Sequence, residues 1–155
     1  MQRSTRSGLI VLGALLAGGC HPSRGGHAVA GELAVSHAVI PAPPSISEAS
    51  AFLVIENRGG TPETFTGALT PAADSILLHR LIGGLMQPAT PLEIPAHGYL
   101  NLVPGSYHLM LEGLRHPLAV GDTVTLSLSF GSGATLGVRV PVLNYTDAVS
   151  ELPIR

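Results

Sequence analysis

At 155 residues the chain has room for one domain with short tails. Its eight basic residues, all arginine, stand against ten acidic ones, a net charge of −2 with no basic run, which argues against a nucleic-acid surface. Charged residues make up 12% and hydrophobic ones 45%, which excludes a charge-rich disordered chain, and a single cysteine excludes an internal disulfide or a Cys-based zinc or iron–sulfur site.

The first segment reads as an address. Arg3 and Arg6 precede the apolar run 9–16 (LIVLGALL), and Ala17, Gly18 and Gly19 lead to Cys20. A basic start, a short apolar core and small residues make a secretory signal, too short to span a bilayer well. Placing the only cysteine directly after the small residues resembles the bacterial lipobox. Residues 1–19 are therefore expected to be a lipoprotein signal peptide, with Cys20 the lipidated N-terminus. Lipidation would also remove an exposed thiol, a liability in an oxidising compartment. His21 follows where Asp would favour the inner membrane, so the outer membrane is favoured. Residues 20–31, small and polar, read as a flexible tether; its His21 and His27 could bind metal weakly, but lone tether histidines are usually just solvated.

The body, 32–143, alternates short apolar runs with turn clusters. Strands are predicted at 33–40, 51–57, 64–69, 75–82, 85–89, 92–94, 99–103, 107–111, 123–130 and 135–143, most of them separated by Pro- and Gly-rich breaks. Residues 123–130 (TVTLSLSF) put Val124, Leu126, Leu128 and Phe130 on one face and Thr125, Ser127 and Ser129 on the other. Many short strands with regular turns predict an all-β antiparallel sandwich or barrel. Ser45 to Glu48 fits a capping box that could open one turn of helix. The tail 144–155 shows no clear element.

No phosphate loop, GxSxG, HExxH or paired carboxylate motif is present, so the chain does not read as an enzyme. Methionine is the informative residue. Beyond Met1 there are two, Met86 and Met110, each with a histidine close by. His108 and Met110 are i, i+2 on a strand and leave the same face, with Tyr107, Leu109 and Leu111 on the core side. If Gly83-Gly84 is a two-residue turn, Leu81 pairs with Met86 and His79 with Pro88, making His79 and Met86 diagonal neighbours on one face. Two imidazoles and two thioethers form a soft site that selects Cu(I) over zinc or calcium. From spacing alone the competing reading leads: a methionine on a strand usually fills the core, and a histidine beside it is usually a surface residue.

The stretch 104–111 (PGSYHLML) resembles the most characteristic segment of the periplasmic PCu(A)C copper chaperones, whose signature is His, ten residues, Met, twenty-one residues, His-x-Met. Met86 and His108 keep the family spacing, with 87–107 between them, whereas His79 and Met86 are separated only by 80–85. The hairpin tip is thus four residues short, an even number that preserves side-chain phase. Residues 51–57 resemble the family's early strand ending in Asn, and 94–98 and 113–124 resemble its flanking segments; together the likeness covers 32–142. It implies a cupredoxin-like β-sandwich with an exposed Cu(I) site of His79, Met86, His108 and Met110. The implied role is delivery of copper to the dinuclear centre of a cytochrome c oxidase, on its subunit II, by a periplasmic protein held to a membrane only through its lipid. His37, His97 and His116 match no family ligand and read as structural or solvated. The alternative from another class is a non-catalytic envelope interaction module with a degenerate metal site.

Overall fold

The structure, a computed structural model, describes residues 24–89 and 91–153. The expected signal peptide and Cys20 lie outside these residues. The strands are β1 (Gly26–Ala30), β2 (Leu33–Pro41), β3 (Glu48–Asn57), β4 (Glu63–Leu69), β5 (Ala73–Ile82), β6 (Leu85–Pro88), β7 (Leu92–Ile94), β8 (Gly98–Leu102), β9 (Tyr107–Leu114), β10 (Thr123–Phe130) and β11 (Thr135–Leu143), followed by one short helix, α1 (Tyr145–Glu151).

Hydrogen bonding runs in the order β6-β5-β9-β8-β3-β2-β11-β10-β4-β7, with β1 added to β2. The first half forms one sheet of the sandwich and β11-β10-β4-β7 the other. They are joined where β11 meets β2 in parallel at Val142 and Ile40. The core lies between them. Leu53 and Ile55 of β3, Leu109 and Leu111 of β9, Leu126 and Leu128 of β10 and Val138 and Val140 of β11 are all essentially inaccessible. β10 has the alternation read from its sequence: Val124, Leu126, Leu128 and Phe130 are buried, and Thr125 and Ser127 are exposed. The all-β sandwich expectation therefore holds.

Three local expectations are corrected. The tether reading of 20–31 fails from Gly26 onward, because 26–30 form β1 on the edge of β2. Two glycines make this possible: a Cβ at Gly26 would overlap the Arg139 carbonyl oxygen, and one at Gly25 would lie 3.1 Å from the His37 backbone. Ser45 to Glu48 forms no helix. Ser45 Oγ does accept from the Ser47 and Glu48 amides, at 3.1 and 3.3 Å, but the chain then enters β3, whose Ala51, Leu53 and Ile55 bury at period two. The tail contains α1, with Asn144 as N-cap accepting from the Asp147 amide at 2.9 Å and Asp147 in the first turn. α1 lies on the outer face of the β2/β3 sheet. Its Ala148, together with Leu152 just beyond it, buries Val39 and Phe52 in a small satellite core.

Candidate metal site

β9 is the centre of the site because it is paired on both sides. β5 runs antiparallel to it in the register His79↔His108 and Leu77↔Met110, and the first half of β3 pairs with it as Ser50↔Met110 and Ala51↔Leu109. Leu109 and Leu111 point into the core, so His108 and Met110 take the outer face. His79, directly opposite His108, shares that face. The ring centroids of His79 and His108 are 5.9 Å apart with planes at 82°. On its other side His108 meets Phe52, at 6.1 Å between centroids.

The hairpin joining β5 to β6 has the pairing derived from the sequence: Ile82↔Leu85, Leu81↔Met86, His79↔Pro88. Gly83 and Gly84 have φ of 57° and 83°, the left-handed pair that a two-residue turn of this kind requires and that side chains resist. Met86 is therefore on the same face as His79, one pair nearer the tip, and 54% exposed.

His108 is only 3% exposed, which corrects the expectation of an exposed site at this ligand. Its ring is flanked by Phe52 and His79, and Phe52 is in turn covered by α1. Burial lowers the His108 pKa below its ordinary value; a hydrogen bond with the Ser106 backbone raises it, and the neighbouring His79 lowers it. His108 Nε2 is buried and has no hydrogen-bond partner. His79 Nδ1 is also buried and without a partner.

Two unpartnered buried imidazole nitrogens on facing residues are costly in a metal-free protein. They fit one shared ion. Centroids 5.9 Å apart are within the reach of two imidazoles that share one ion through metal–nitrogen bonds of about 2.0–2.1 Å. Among the described residues there is no group of three or more His, Cys, Asp and Glu side chains that could hold a metal.

Met110 has a second environment. With Phe52, Pro41 to Ser45, Glu48 to Ser50 and Tyr145 it lines an apolar groove of about 370 Å³ beside the site. Sequence reading did not single out Phe52 or this groove. The available signal was Phe52 itself, a large apolar side chain at an outward position of a strand whose alternate residues fill the core. The other histidines differ: His97 and His116 are exposed, and His37 bonds through Nδ1 to the Glu151 carbonyl at 2.6 Å.

The family model described as "Putative lipoprotein LpqE-like" matches residues 33–142. "Putative lipoprotein Lxx21020" of Leifsonia xyli subsp. xyli is 36% identical over 104 residues, 64% of this chain; the match spans 63% of that relative's length. Among solved structures, the apo PCuAC domain from PmoF1 superposes with a TM-score of 0.68 at 24% identity, covering 76% of this chain and 98% of that one. The solution structure of CuI-DR1885 from Deinococcus radiodurans gives 0.60 at 35% identity, covering 72% and 77%. The fold is thus the cupredoxin-like sandwich of PCuAC domains, as the sequence resemblance implied.

Proposed function

The chain belongs to the LpqE-like family, and from that premise we propose that it is an extracytoplasmic Cu(I) chaperone without catalytic activity. The observation that carries the reading is the pair of buried, unpartnered nitrogens, His79 Nδ1 and His108 Nε2, on register-paired residues of β5 and β9. The Cu(I) form of the Deinococcus protein, 35% identical over the matched region, supports copper as the cargo.

His79 and His108 supply the fixed part of the site, Met110 the thioether carried on the same strand as His108, and Met86 a thioether from the exposed hairpin. Two thioethers, with no thiolate or carboxylate, favour Cu(I) over zinc. The half-open arrangement suits delivery. The His108 imidazole is backed by Phe52, while Met86 stands toward solvent, where an acceptor's ligand can replace it. Leu77, Leu81, Ile82 and Leu85 are exposed on the same hairpin, an apolar rim of the kind that meets a protein partner. The recipient we assign is the dinuclear copper centre of cytochrome c oxidase, the acceptor implied by the PCu(A)C resemblance. Cys20 carries the lipid that holds the protein to a membrane, the outer one where two exist, since His21 rather than Asp follows it.

Anaerobic Cu(I) titration against a competing chelator tests this. One Cu(I) per chain is expected, with tight binding abolished by His108→Ala and by Met110→Leu. Stoichiometric binding that survives both substitutions would refute the site.

A further inference from the structure

The apolar groove beside Met110 is built by rigid elements. One side is the outward face of β3. Ala49, Ala51, Leu53 and Ile55 go to the core, so Glu48, Ser50 and Phe52 alternate outward. Another side is the run 41–45 (PAPPS), where three prolines fix the backbone. The Ala42 amide, bonded to the Leu143 carbonyl at 2.7 Å, ties that run to β11, and Ser45 Oγ turns the chain back into β3. Tyr145, the first residue of α1, also lines the groove and is 74% exposed. A groove of about 370 Å³ that is held open in this way, with an aromatic ring and prolines along it, is preorganised for an extended chain segment.

One end of the groove carries unbalanced charge. Glu48 lines it, and β3 pairs with β9 so that Glu48 stands directly opposite Glu112 on one face. Like charges at directly opposed positions of a sheet are destabilising. On its other side Glu112 is paired with Ser75 of β5, which brings no cation. Among the described residues neither carboxylate is in an ion pair: Arg24, Arg58 and Arg115 pair with Asp147, Glu56 and Asp74. The complement of two such carboxylates is a basic side chain, arginine above all. Spacing joins the apolar and acidic parts. Phe52 and Glu48 are four residues apart on one strand face, about 13 Å at the rise of an extended chain. An extended segment lying along β3 keeps step with it, so apolar side chains at i and i+2 over Phe52 and Ser50 bring residue i+4 to Glu48.

Met110 belongs both to this groove and to the candidate metal site. We propose that the groove seats an extended segment of the protein that exchanges copper with that site, a segment with two apolar side chains at alternate positions and a basic side chain two residues beyond. The apolar pair packs on Phe52, Met110 and Tyr145, and the cation meets Glu48 and Glu112. The partner's part in copper exchange rests on the Cu(I) chaperone reading, whereas the seat rests on the groove and its charge.

Two acetylated and amidated hexapeptides, PLSLSR and its reverse RSLSLP, are the probes, because the groove leaves the direction of the segment open. They are titrated into the metal-free full chain carrying Cys20→Ser, and the Met110 methyl and Tyr145 ring signals are followed by nuclear magnetic resonance. Saturable one-to-one binding of at least one peptide is expected, with shifts at both residues. Glutamate in place of the peptide's arginine, the arginine moved by one position to the other face, and Glu48→Lys in the protein should each weaken binding roughly tenfold or more. Cu(I) affinity should be unchanged in Glu48→Lys. In the Cu(I)-loaded protein, saturating peptide should change the rate at which a chelator withdraws copper. No saturable binding, or binding indifferent to the arginine, its position and Glu48→Lys, would overturn the seat. A dimer on sedimentation that Tyr145→Ala disperses would overturn it too, making a second copy the occupant. A withdrawal rate unmoved by peptide would overturn the role in exchange. Peptide binding in a chain that takes up no Cu(I) would support the seat and refute the copper reading.

Discussion

Replacing His108 by leucine should make the metal-free protein more stable while abolishing tight Cu(I) binding. His108 is 3% exposed and its Nε2 has no partner. Leaving a buried polar group unsatisfied costs about 1–3 kcal/mol, and leucine of similar volume removes that cost. The change also removes the hydrogen bond between the ring and the Ser106 carbonyl, worth about 0.5–1.5 kcal/mol. That carbonyl is not orphaned, however, because the Leu81 amide still donates to it at 3.3 Å. The net expectation is a gain of about 1 kcal/mol, or a rise in Tm of roughly 3–6 °C for a domain of this size. The gain should grow as pH falls. Burial depresses the His108 pKa in the folded protein below the ordinary 6.5 of the unfolded chain. Below 6.5 the unfolded state therefore takes up its proton first, and wild-type stability falls until the folded pKa is reached. The leucine variant lacks this loss. Urea melts of both proteins at pH 7.5 and pH 5.5, with chelator present, read the difference directly. A variant less stable than wild type at pH 7.5, or one with the same pH dependence, would refute the claim that the site is held ready at a stability cost. In the wild type, copper at a hundredfold excess over Kd should add about 2.7 kcal/mol, and in the variant nothing.

Met110→Leu should weaken Cu(I) binding far more than Met86→Leu, since Met110 is fixed beside His108 by strand geometry and Met86 depends on the hairpin; copper-edge X-ray absorption should count two sulfurs in wild type and one in Met86→Leu. One sulfur in both would leave His79, His108 and Met110 as the ligands. Inserting one residue beside Gly83 should shift the β6 register and match Met86→Leu in affinity, whereas two residues added to each arm should leave binding intact. Asn57→Ala should destabilise the apo protein by about 2–4 kcal/mol, because buried Asn57 donates to the Thr61 and Ile94 carbonyls and accepts from the Gly59 amide, and the change is read by urea melts without effect on copper affinity. Cys20→Ser should move the protein from the membrane to the soluble fraction on cell fractionation; a wild type already soluble with a free thiol would show that Cys20 carries no lipid.

Much of the fold was legible because local pattern and tertiary structure agree. Alternation over 123–130 and 135–143 sets two strands with one buried face each, and a strand paired on a sandwich core has no other way to bury Leu126 and Leu128. Gly83-Gly84 sets the hairpin register, because a two-residue turn admits a single pairing and positive φ at both positions suits glycine. The i, i+2 spacing of His108 and Met110 sets their common face. The partner of that face was decided elsewhere: His79 lies opposite His108 because β5 pairs with β9 at that register, a contact between residues 29 apart that no local pattern encodes. The burial of His108 depends on Phe52, and that of Phe52 on α1, so a seven-residue helix whose only strong sequence mark is the Asn144 cap closes the rear of the site. β1 was hidden for a similar reason. Its five residues are too small and polar to read as a strand alone, and they become one only where two glycines let them lie against β2 and the Arg139 carbonyl. Strand faces follow from the period of the chain, whereas which faces are covered, and so which nitrogens lose their water, follows from packing between distant segments.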